Sequence, residues 1–304
     1  MNNNDYLLDA VDLLKQFISI PSVSGDEKCL ADFFETMLKE KNYSPRRKGN
    51  NVWLLSSNWD EHKPTILLNS HIDTVKPVNS WTKDPFKPVE ENGKLFGLGS
   101  NDAGASVVSL LQVFFILSQT QQENNFIFLA SCEEEICGKN GIESVLCELP
   151  DIDLGVVGEP TSMQPAIAEK GLMVLDGVVY GKAGHAARNE GENAIYKTIP
   201  VIEWFKNHNF PVVSPLLGPV KMTVTGVQSG IQHNVIPDEC KFMVDIRSNE
   251  FYTNEALFES ISASCGAEVR ARSFRLNSSK IESEHPFVKR AIELGLVPYG
   301  SPTL

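Results

Sequence analysis

The 304-residue sequence contains no CxxC pair and no other cysteine spacing typical of a disulfide framework or a thiolate cluster. In a chain of this length, scattered cysteines indicate free thiols in a reducing compartment. The six lie in predicted strands and helices along the whole chain: Cys29, Cys132, Cys137, Cys147, Cys240 and Cys265.

Long apolar runs are also missing. The start, "MNNNDYLLDAVDLLKQF", has no cationic region followed by an apolar core, so no secretory signal is visible. The longest apolar stretch, "VVSLLQVFFILS" at 107–118, is too short to span a bilayer and predicts a buried helix. By default we expect a cytoplasmic protein.

Positive charge is scarce, with 27 Lys and Arg against 39 Asp and Glu, which gives a formal net charge of −12. That balance argues against nucleic acid or an anionic membrane as a partner. The acidity itself needs no explanation beyond solubility.

The length exceeds what one hydrophobic core usually serves, so we expect two domains. Up to about residue 165, short apolar runs alternate with helical stretches, which predicts a mixed, mainly parallel α/β sheet flanked by helices. The predicted strands are 51–55, 65–69, 126–130 and 154–158, and the predicted helices include 104–118 and 141–149. An amphipathic helix precedes them, and Ser24 is a possible N-cap of the next helix.

The pattern changes after about residue 165. Strands at 171–181, 220–230, 239–249 and 267–274 alternate between apolar and polar residues, and helices are predicted at 193–207 and 255–265. We expect an inserted α+β domain over 166–278. The helical pattern at 278–294 indicates that 279–304 return to the first domain, residues 1–165.

Four polar groups follow predicted strands or a turn in the first domain. His71 and Asp73 lie at the end of the apolar strand in "ILLNSHIDTV", and Asp102 follows the glycine-rich "FGLGSN". The stretch "FIFLASCEEE" places a Glu triplet at 133–135. Glu159 follows the strand "LGVV". Because ligands of α/β sheets gather beyond the carboxyl ends of strands, these loops are expected to converge on one crevice.

Each group has a plain alternative. A lone histidine at a strand end is more often an ordinary polar residue, and Asp102 is a reasonable helix N-cap. A glutamate triplet is usually a solvated charge run, and Glu159 before Pro160 suits a turn. The argument for function is their joint recurrence at strand ends, which solvation alone does not produce.

Imidazole and carboxylate groups without cysteine suit divalent zinc, cobalt or manganese. A pair of such ions needs a bridging carboxylate, terminal ligands and a basic group that takes a proton from water. The stretch "GLGSNDAG" lacks the G-x-G-x-x-G spacing, so a dinucleotide site is poorly supported.

Four motifs in order, "SHIDTV", "FGLGSNDAG", "CEEEICGKNG" and "VVGEPT", resemble the two-zinc aminoacylase and carboxypeptidase family. The nearest branch is that of acetylornithine deacetylase and succinyl-diaminopimelate desuccinylase. "PSVSGDE" at 21–27 fits the same resemblance, which covers essentially the whole chain. It implies a zinc-exopeptidase-like catalytic domain and a dimerisation lid domain.

The resemblance also implies roles for individual residues. His71 and Glu159 would hold one zinc, Asp102 would bridge two, and Glu135 would hold the second. Asp73 would orient His71, Glu134 would act as general base, and the Asp102–Ala103 peptide would be cis. Because 133–135 are identical residues, their register stays open by one position.

In the lid domain the resemblance implies that His185 reaches a partner subunit's active site and stabilises the oxyanion. Asn234 and Arg247 would bind the substrate carboxylate, a task for which the planar guanidinium of arginine is suited. A homodimer through 166–278 follows from these roles. Without the resemblance, His185 is an ordinary loop residue and Arg247 a solvated strand charge.

Two departures from the family pattern stand out. Glu133 occupies the place of an Asp that usually precedes the Glu pair. The family's last zinc ligand is a histidine near the C-terminus, and none matches it after His285, so we expect a truncated chain.

The implied reaction is hydrolysis of the amide bond of an N-acyl amino acid, as in arginine biosynthesis. Two zinc ions per subunit are expected, with cobalt or manganese as substitutes. The alternatives are a di- or tripeptide exopeptidase of the same fold and a catalytically impaired metal-binding protein.

Overall fold

A computed structural model describes residues 3–188 and 190–302 of the chain. The chain divides into two compact units, Met1–Pro160 and Thr161–Leu304. The expected domain boundaries at 165 and 279 stay a prediction. Among the described residues no helix is long and apolar enough to cross a membrane.

The described part of the first unit contains four α-helices, one central sheet and a small β-hairpin. Its helices are α1 (Asn3–Ser19), α2 (Lys28–Glu40), α3 (Gly104–Ser118) and α4 (Ile142–Val145), the last continued by a 3-10 turn (Leu146–Glu148). Its strands are β1 (Arg46–Lys48), β2 (Asn51–Leu55), β3 (Thr65–His71), β4 (Val89–Glu91), β5 (Lys94–Phe96), β6 (Asn125–Ser131) and β7 (Leu154–Val157).

The central sheet has the order β1-β2-β6-β3-β7. β3 runs parallel to both of its neighbours, β6 and β7, whereas β2 and β1 are antiparallel additions at one edge. Parallel strands are normally covered on both faces, which explains why every residue of β6 is buried. The predicted α/β architecture is confirmed.

Hydrophobic residues cover the two faces of this sheet unequally. On one face α1, α2 and α3 pack around a large core that includes the fully buried rings of Phe34, Phe114 and Phe128. The other face has a smaller cluster around Trp53, Ile127 and Leu129. The apolar helix predicted at 107–118 is therefore the core-facing α3.

The second unit begins with a short strand and continues as an α+β fold. Its strands are β8 (Ala166–Glu169), β9 (Gly171–Tyr180), β10 (Gly184–His185), β11 (Lys221–Ser229), β12 (Val235–Ile236), β13 (Glu239–Ser248), β14 (Glu268–Ala271), β15 (Ser279–Lys280) and β16 (Tyr299–Ser301). Its helices are α5 (Ala194–Asn207), α6 (Asn254–Ser264) and α7 (Pro286–Glu293).

An antiparallel sheet of order β11-β13-β9-β14 forms the body of the second unit. Burial alternates along β9, as the alternating sequence pattern predicts for a half-exposed strand. Its inward side chains form a core with residues of α5 and α6, including Phe205, Phe242 and Leu257. The expected α+β character of this region is confirmed.

Two local expectations are wrong. α2 begins at Lys28, so its N-cap is Glu27 rather than Ser24. The Ser24 hydroxyl donates instead to the Asp73 carboxylate. The predicted helix 278–294 is helical only as α7, whose N-cap is His285. Residues 279–280 instead pair as β15 with β8, within the second unit.

Candidate metal centre and active site

The topology of the first unit brings three strand ends to one edge of the sheet. β3 and β6 are parallel and in register, with His71 opposite Ser131, and β7 pairs with β3 so that Val157 faces Asn69. The residues that follow each strand therefore emerge side by side. This placement fulfils the expectation that the polar groups after the strands converge.

Asp102 reaches the same place from the turn before α3. Its peptide bond to Ala103 is cis, as the resemblance implies. The turn is tight, since the Gly104 N–H donates to the Gly99 carbonyl at 2.9 Å. A Cβ at Gly104 would lie 2.5 Å from that oxygen, so the turn requires glycine.

The imidazole of His71 lies at the centre of the resulting cluster. Its Nε2 is 3.1 Å from Asp102 Oδ1, 3.7 Å from Glu159 Oε1 and 3.9 Å from Glu134 Oε2. One ligand atom each from His71, Asp102 and Glu135 lies within 4.8 Å of the other two. The structure thus brings all four predicted metal ligands together.

Asp73 is fully buried and bonds to neighbouring protein groups instead of to solvent. Its backbone carbonyl is 2.9 Å from Nδ1 of His71, and its Oδ1 is 3.4 Å from the same nitrogen. With a proton on Nδ1, Nε2 is the ring nitrogen that faces the carboxylate cluster. Such partners fix the orientation and tautomer of a ligating histidine.

The same carboxylate organises the loop after β6. Asp73 Oδ1 accepts the N–H of Glu134 at 3.0 Å, and Oδ2 accepts the N–H of Glu135 at 3.1 Å. Oδ2 also accepts the hydroxyl of Ser24 at 2.7 Å. The hydrogen bonds of His71 and Ser24 hold the pKa of Asp73 below its usual range, although burial opposes them.

The three glutamates of the triplet point in different directions. Glu133 has a left-handed φ of 55°, and its Oε2 accepts the Asn140 N–H at 3.1 Å, away from the cluster. Gly138 makes room for it, because a Cβ there would lie 2.0 Å from that oxygen. Only Glu134 and Glu135 of the triplet approach His71 and Asp102.

The crowding of carboxylates changes proton affinities throughout the cluster. Burial opposes protonation of His71, yet the bond with Asp73 and the charges of Glu159 and Glu134 raise its pKa to about 10. Burial and the charges of Glu134 and Asp102 raise the pKa of Glu159 to about 7. Burial also raises the pKa of Glu134 and of Glu135, with the charge of Asp102 adding to both.

This donor set fits divalent cations. No Lys or Arg among the described residues forms an ion pair with any of the four carboxylates Asp102, Glu134, Glu135 and Glu159. The imidazole alone cannot balance them, so the arrangement favours bound positive charge. Imidazole nitrogen with carboxylate oxygen is the ligand combination used for zinc, cobalt and manganese.

The predicted residues of the lid domain lie in the second unit. His185 is exposed on β10, where its Nδ1 accepts the Ala187 N–H at 3.2 Å. The Asn234 carbonyl accepts the Ala186 N–H at 3.0 Å, next to His185. On β13 the Arg247 Nε donates to Asp245 at 2.9 Å. Their expected roles stay predictions.

Ser24 and Glu27 also contact the site, Ser24 through the Asp73 carboxylate and Glu27 through the Glu133 N–H. The sequence pattern predicts a helix cap for Ser24 and no role for Glu27. The available signal was the "PSVSGDE" stretch, which fits the family resemblance without an assigned chemistry.

Comparisons with known proteins agree with this geometry. The model of peptidase family M20/M25/M40 matches residues 67–295. A succinyl-diaminopimelate desuccinylase of Wolbachia pipientis wMel is 26% identical over 290 residues, which cover 90% of this chain and 73% of the relative.

Solved structures share the fold. A tripeptidase from Staphylococcus aureus has a TM-score of 0.73 at 19% identity, covering 97% of this chain and 84% of its own. The Bacillus subtilis YXEP protein, a dinuclear metal-binding peptidase of the M20 family, has a TM-score of 0.70 at 18% identity. The coverage is 99% of this chain and 84% of that chain. The resemblance inferred from the motifs is confirmed, and the chain belongs to peptidase family M20/M25/M40, as a hydrolase that acts on amide bonds.

Proposed function

We propose that this protein hydrolyses the amide bond of a small N-acyl amino acid, releasing a carboxylate and the free amino acid. The observation that carries the proposal is the His71 imidazole within 3.1–3.9 Å of the carboxylates of Asp102, Glu159 and Glu134. The similarity to a succinyl-diaminopimelate desuccinylase supports an acylated amino acid as substrate. An acetylornithine deacetylase-like reaction in arginine biosynthesis is the specific form we favour.

His71 and Glu159 are proposed to hold one divalent ion, Glu135 the second, with Asp102 between the two. Zinc is the proposed ion, and cobalt or manganese are substitutes with the same ligand preferences. When bound, such ions lower the pKa of a coordinated water and polarise an acyl carbonyl. Asp73 keeps Nε2 of His71 directed at the ion by holding the proton on Nδ1.

Glu134 is the proposed general base. Its carboxylate lies 3.9 Å from Nε2 of His71, farther than the Asp102 carboxylate at 3.1 Å. Its pKa is raised by burial, and a base whose pKa approaches the working pH both accepts and returns a proton efficiently. Glu134 takes a proton from the attacking water and then delivers it to the leaving amine.

Three residues of the second unit complete the proposal. His185 would stabilise the oxyanion of the tetrahedral intermediate, and Asn234 with Arg247 would bind the substrate carboxylate. Because the family resemblance assigns His185 to the active site of a partner subunit, a homodimer through 166–278 is part of the proposal. A cytoplasmic location agrees with a small metabolite as substrate.

The test of the substrate class is a panel of N-acetyl amino acids, N-succinyl amino acids and dipeptides, assayed with the zinc-loaded protein. Faster hydrolysis of an N-acyl amino acid than of any dipeptide supports the proposal. Cleavage of dipeptides or tripeptides alone would instead identify an exopeptidase of this fold. Activity that is indifferent to a strong chelator would contradict both.

The metal requirement has a separate test. Elemental analysis of the purified protein after zinc loading should give two ions per chain. One ion or none, together with no activity on the panel, would favour the catalytically impaired metal-binding protein.

A further inference from the structure

The stretch Ser22–Glu27 has no part in the proposed chemistry, yet it is bonded to the loop that follows β3. The Ser22 hydroxyl donates to the Ile72 carbonyl at 2.8 Å. The Ser24 N–H donates to the Thr74 carbonyl at 3.0 Å, and the Thr74 N–H donates to the Ser22 carbonyl at 2.9 Å. Through the Ser24 hydroxyl it also binds the Asp73 carboxylate at 2.7 Å.

Glu27, at the other end of this stretch, is a completely buried carboxylate. Its Oε1 accepts the backbone N–H of Gly25 at 2.7 Å and that of Glu133 at 3.2 Å. Its Oε2 accepts an N–H of the Asn50 side chain at 3.0 Å. Burying a carboxylate is costly unless hydrogen bonds compensate it, and these three neutral donors do so.

The Glu133 N–H is the first of three consecutive amides held by buried carboxylates. Glu27 binds the first, and Asp73 binds those of Glu134 and Glu135. Glu133 itself has a left-handed backbone conformation, which residues other than glycine rarely adopt. The turn that aims Glu134 and Glu135 is therefore maintained by external hydrogen bonds.

We infer that Glu27 is a positioning residue for Glu134 and Glu135, and that Ser24 assists it through Asp73. Glu27 does not touch substrate or metal; it fixes the Glu133 amide, which sets the direction of the next two side chains. This inference rests on the proposed function, in which Glu134 is the base and Glu135 a metal ligand. A displacement of about 1 Å at such a site can cost roughly a hundredfold in rate.

The test is Glu27→Leu, which has a similar volume but no oxygen that accepts a hydrogen bond. The N–H groups of Gly25, Glu133 and the Asn50 side chain then all lose this acceptor. We expect kcat to fall about 10- to 100-fold with KM nearly unchanged. We also expect binding of Co²⁺, measured by calorimetric titration of the metal-free protein, to weaken about tenfold or more.

The matched control is Asp26→Asn, which removes the same charge from the exposed neighbouring residue. It should leave kcat and Co²⁺ affinity unchanged. Glu27→Leu with wild-type kcat and wild-type Co²⁺ affinity would overturn the inference. So would equal losses in Asp26→Asn, because the effect would then follow charge and not the hydrogen bonds.

Ser24 supplies a second test if Glu27→Leu does not fold, as judged by circular dichroism. Ser24→Ala removes the hydroxyl on Asp73, and Ser24→Thr retains one. We expect lower kcat and an altered visible absorption spectrum of the Co²⁺ protein for Ser24→Ala, with recovery in Ser24→Thr. Identical spectra and rates for both variants would overturn the inference.

Failure of the proposed function gives a different pattern. If the wild-type protein hydrolyses nothing on the substrate panel, the Co²⁺ affinity and spectrum still report the positions of Glu135 and its neighbours. Weakened Co²⁺ binding in Glu27→Leu would then support positioning even though the proposed reaction had failed.

Discussion

Both units contain local ion pairs, but they differ in one group of charged residues. In the first unit several carboxylates surround one imidazole, and His71 is their shared partner. In the second unit charges occur as local pairs: Arg272 with Asp176 at 2.7 Å and Arg247 with Asp245 at 2.9 Å. A cluster of carboxylates without matching positive charge therefore marks the candidate site. The net charge of −12 alone does not reveal such a cluster.

Strand direction explains the difference. In the first unit parallel strands deliver their following loops to the same edge, so residues distant in sequence meet. In the second unit antiparallel partners alternate direction, and an ion pair such as Asp176–Arg272 forms across neighbouring strands or just beyond them. Four measurements test this contrast between the units.

The largest effect is expected from Glu134→Gln. The amide cannot accept the proton from water, so kcat should fall by roughly two to four orders of magnitude while the bound metal is retained. Steady-state kinetics and elemental analysis measure the two quantities. Glu133→Gln, an identical change one residue away on a side chain bonded to Asn140, should stay within a few-fold of wild type. Equal rates for wild type and Glu134→Gln would refute its role as base.

The second effect is the pH dependence of stability without metal. The pKa of His71 is raised to about 10 from an ordinary value of 6.5, so its contribution is full below about pH 6.5 and is lost as the pH rises towards 10. The pKa of Glu159 is raised from 4.5 to about 7, which changes the stability in the same direction. Its contribution is full below about pH 4.5 and is lost as the pH rises through about 7.

Thermal unfolding in a chelator should therefore show a midpoint that falls between about pH 6 and about pH 9. Added zinc should reduce or reverse that fall, since it binds the deprotonated ligands. Parallel pH profiles with and without zinc would show that these two groups do not form the metal site.

The third effect tests packing in the second unit. A Cβ at Gly177 would lie 2.1 Å from the Phe242 ring, so Gly177→Ala should lower the free energy of unfolding by about 1–3 kcal/mol. Phe242→Leu vacates that space, and the double variant should be more stable than additive losses predict. Denaturant unfolding of the four proteins measures the coupling. Strict additivity would mean that the two side chains do not meet.

The smallest effect is expected from Arg272→Gln, which breaks the exposed pair with Asp176. Exposed ion pairs contribute little because solvent screens them. The melting temperature should change only slightly, and hydrolysis should be unaffected. A loss comparable to that of Gly177→Ala would show that charge pairing in the second unit matters more than its exposure suggests.

Much of the first unit could be predicted from the sequence. Apolar runs marked β2, β3, β6 and β7, and polar residues after them marked the cluster, because strand ends and hydrophobic periodicity are local signals. The cis peptide at Asp102–Ala103 followed from the family resemblance and is present.

The rest depended on contacts between distant residues. Three identical glutamates carry no register signal, and only the bond of Glu133 to Asn140 beside Gly138 distinguishes it from its neighbours. Ser24 has the composition of a helix cap, but its partner is Asp73, 49 residues away. Short-range patterns do not contain such pairings, so they predict the wrong role for Ser24 and none for Glu27.

The boundary at Pro160 has a consequence for biosynthesis. All four proposed ligands precede it, and the last of them is Glu159, at the very end of the first unit. Domains generally fold as they leave the ribosome, amino-terminal first. A nascent polypeptide thus presents these four donors before the second unit is complete.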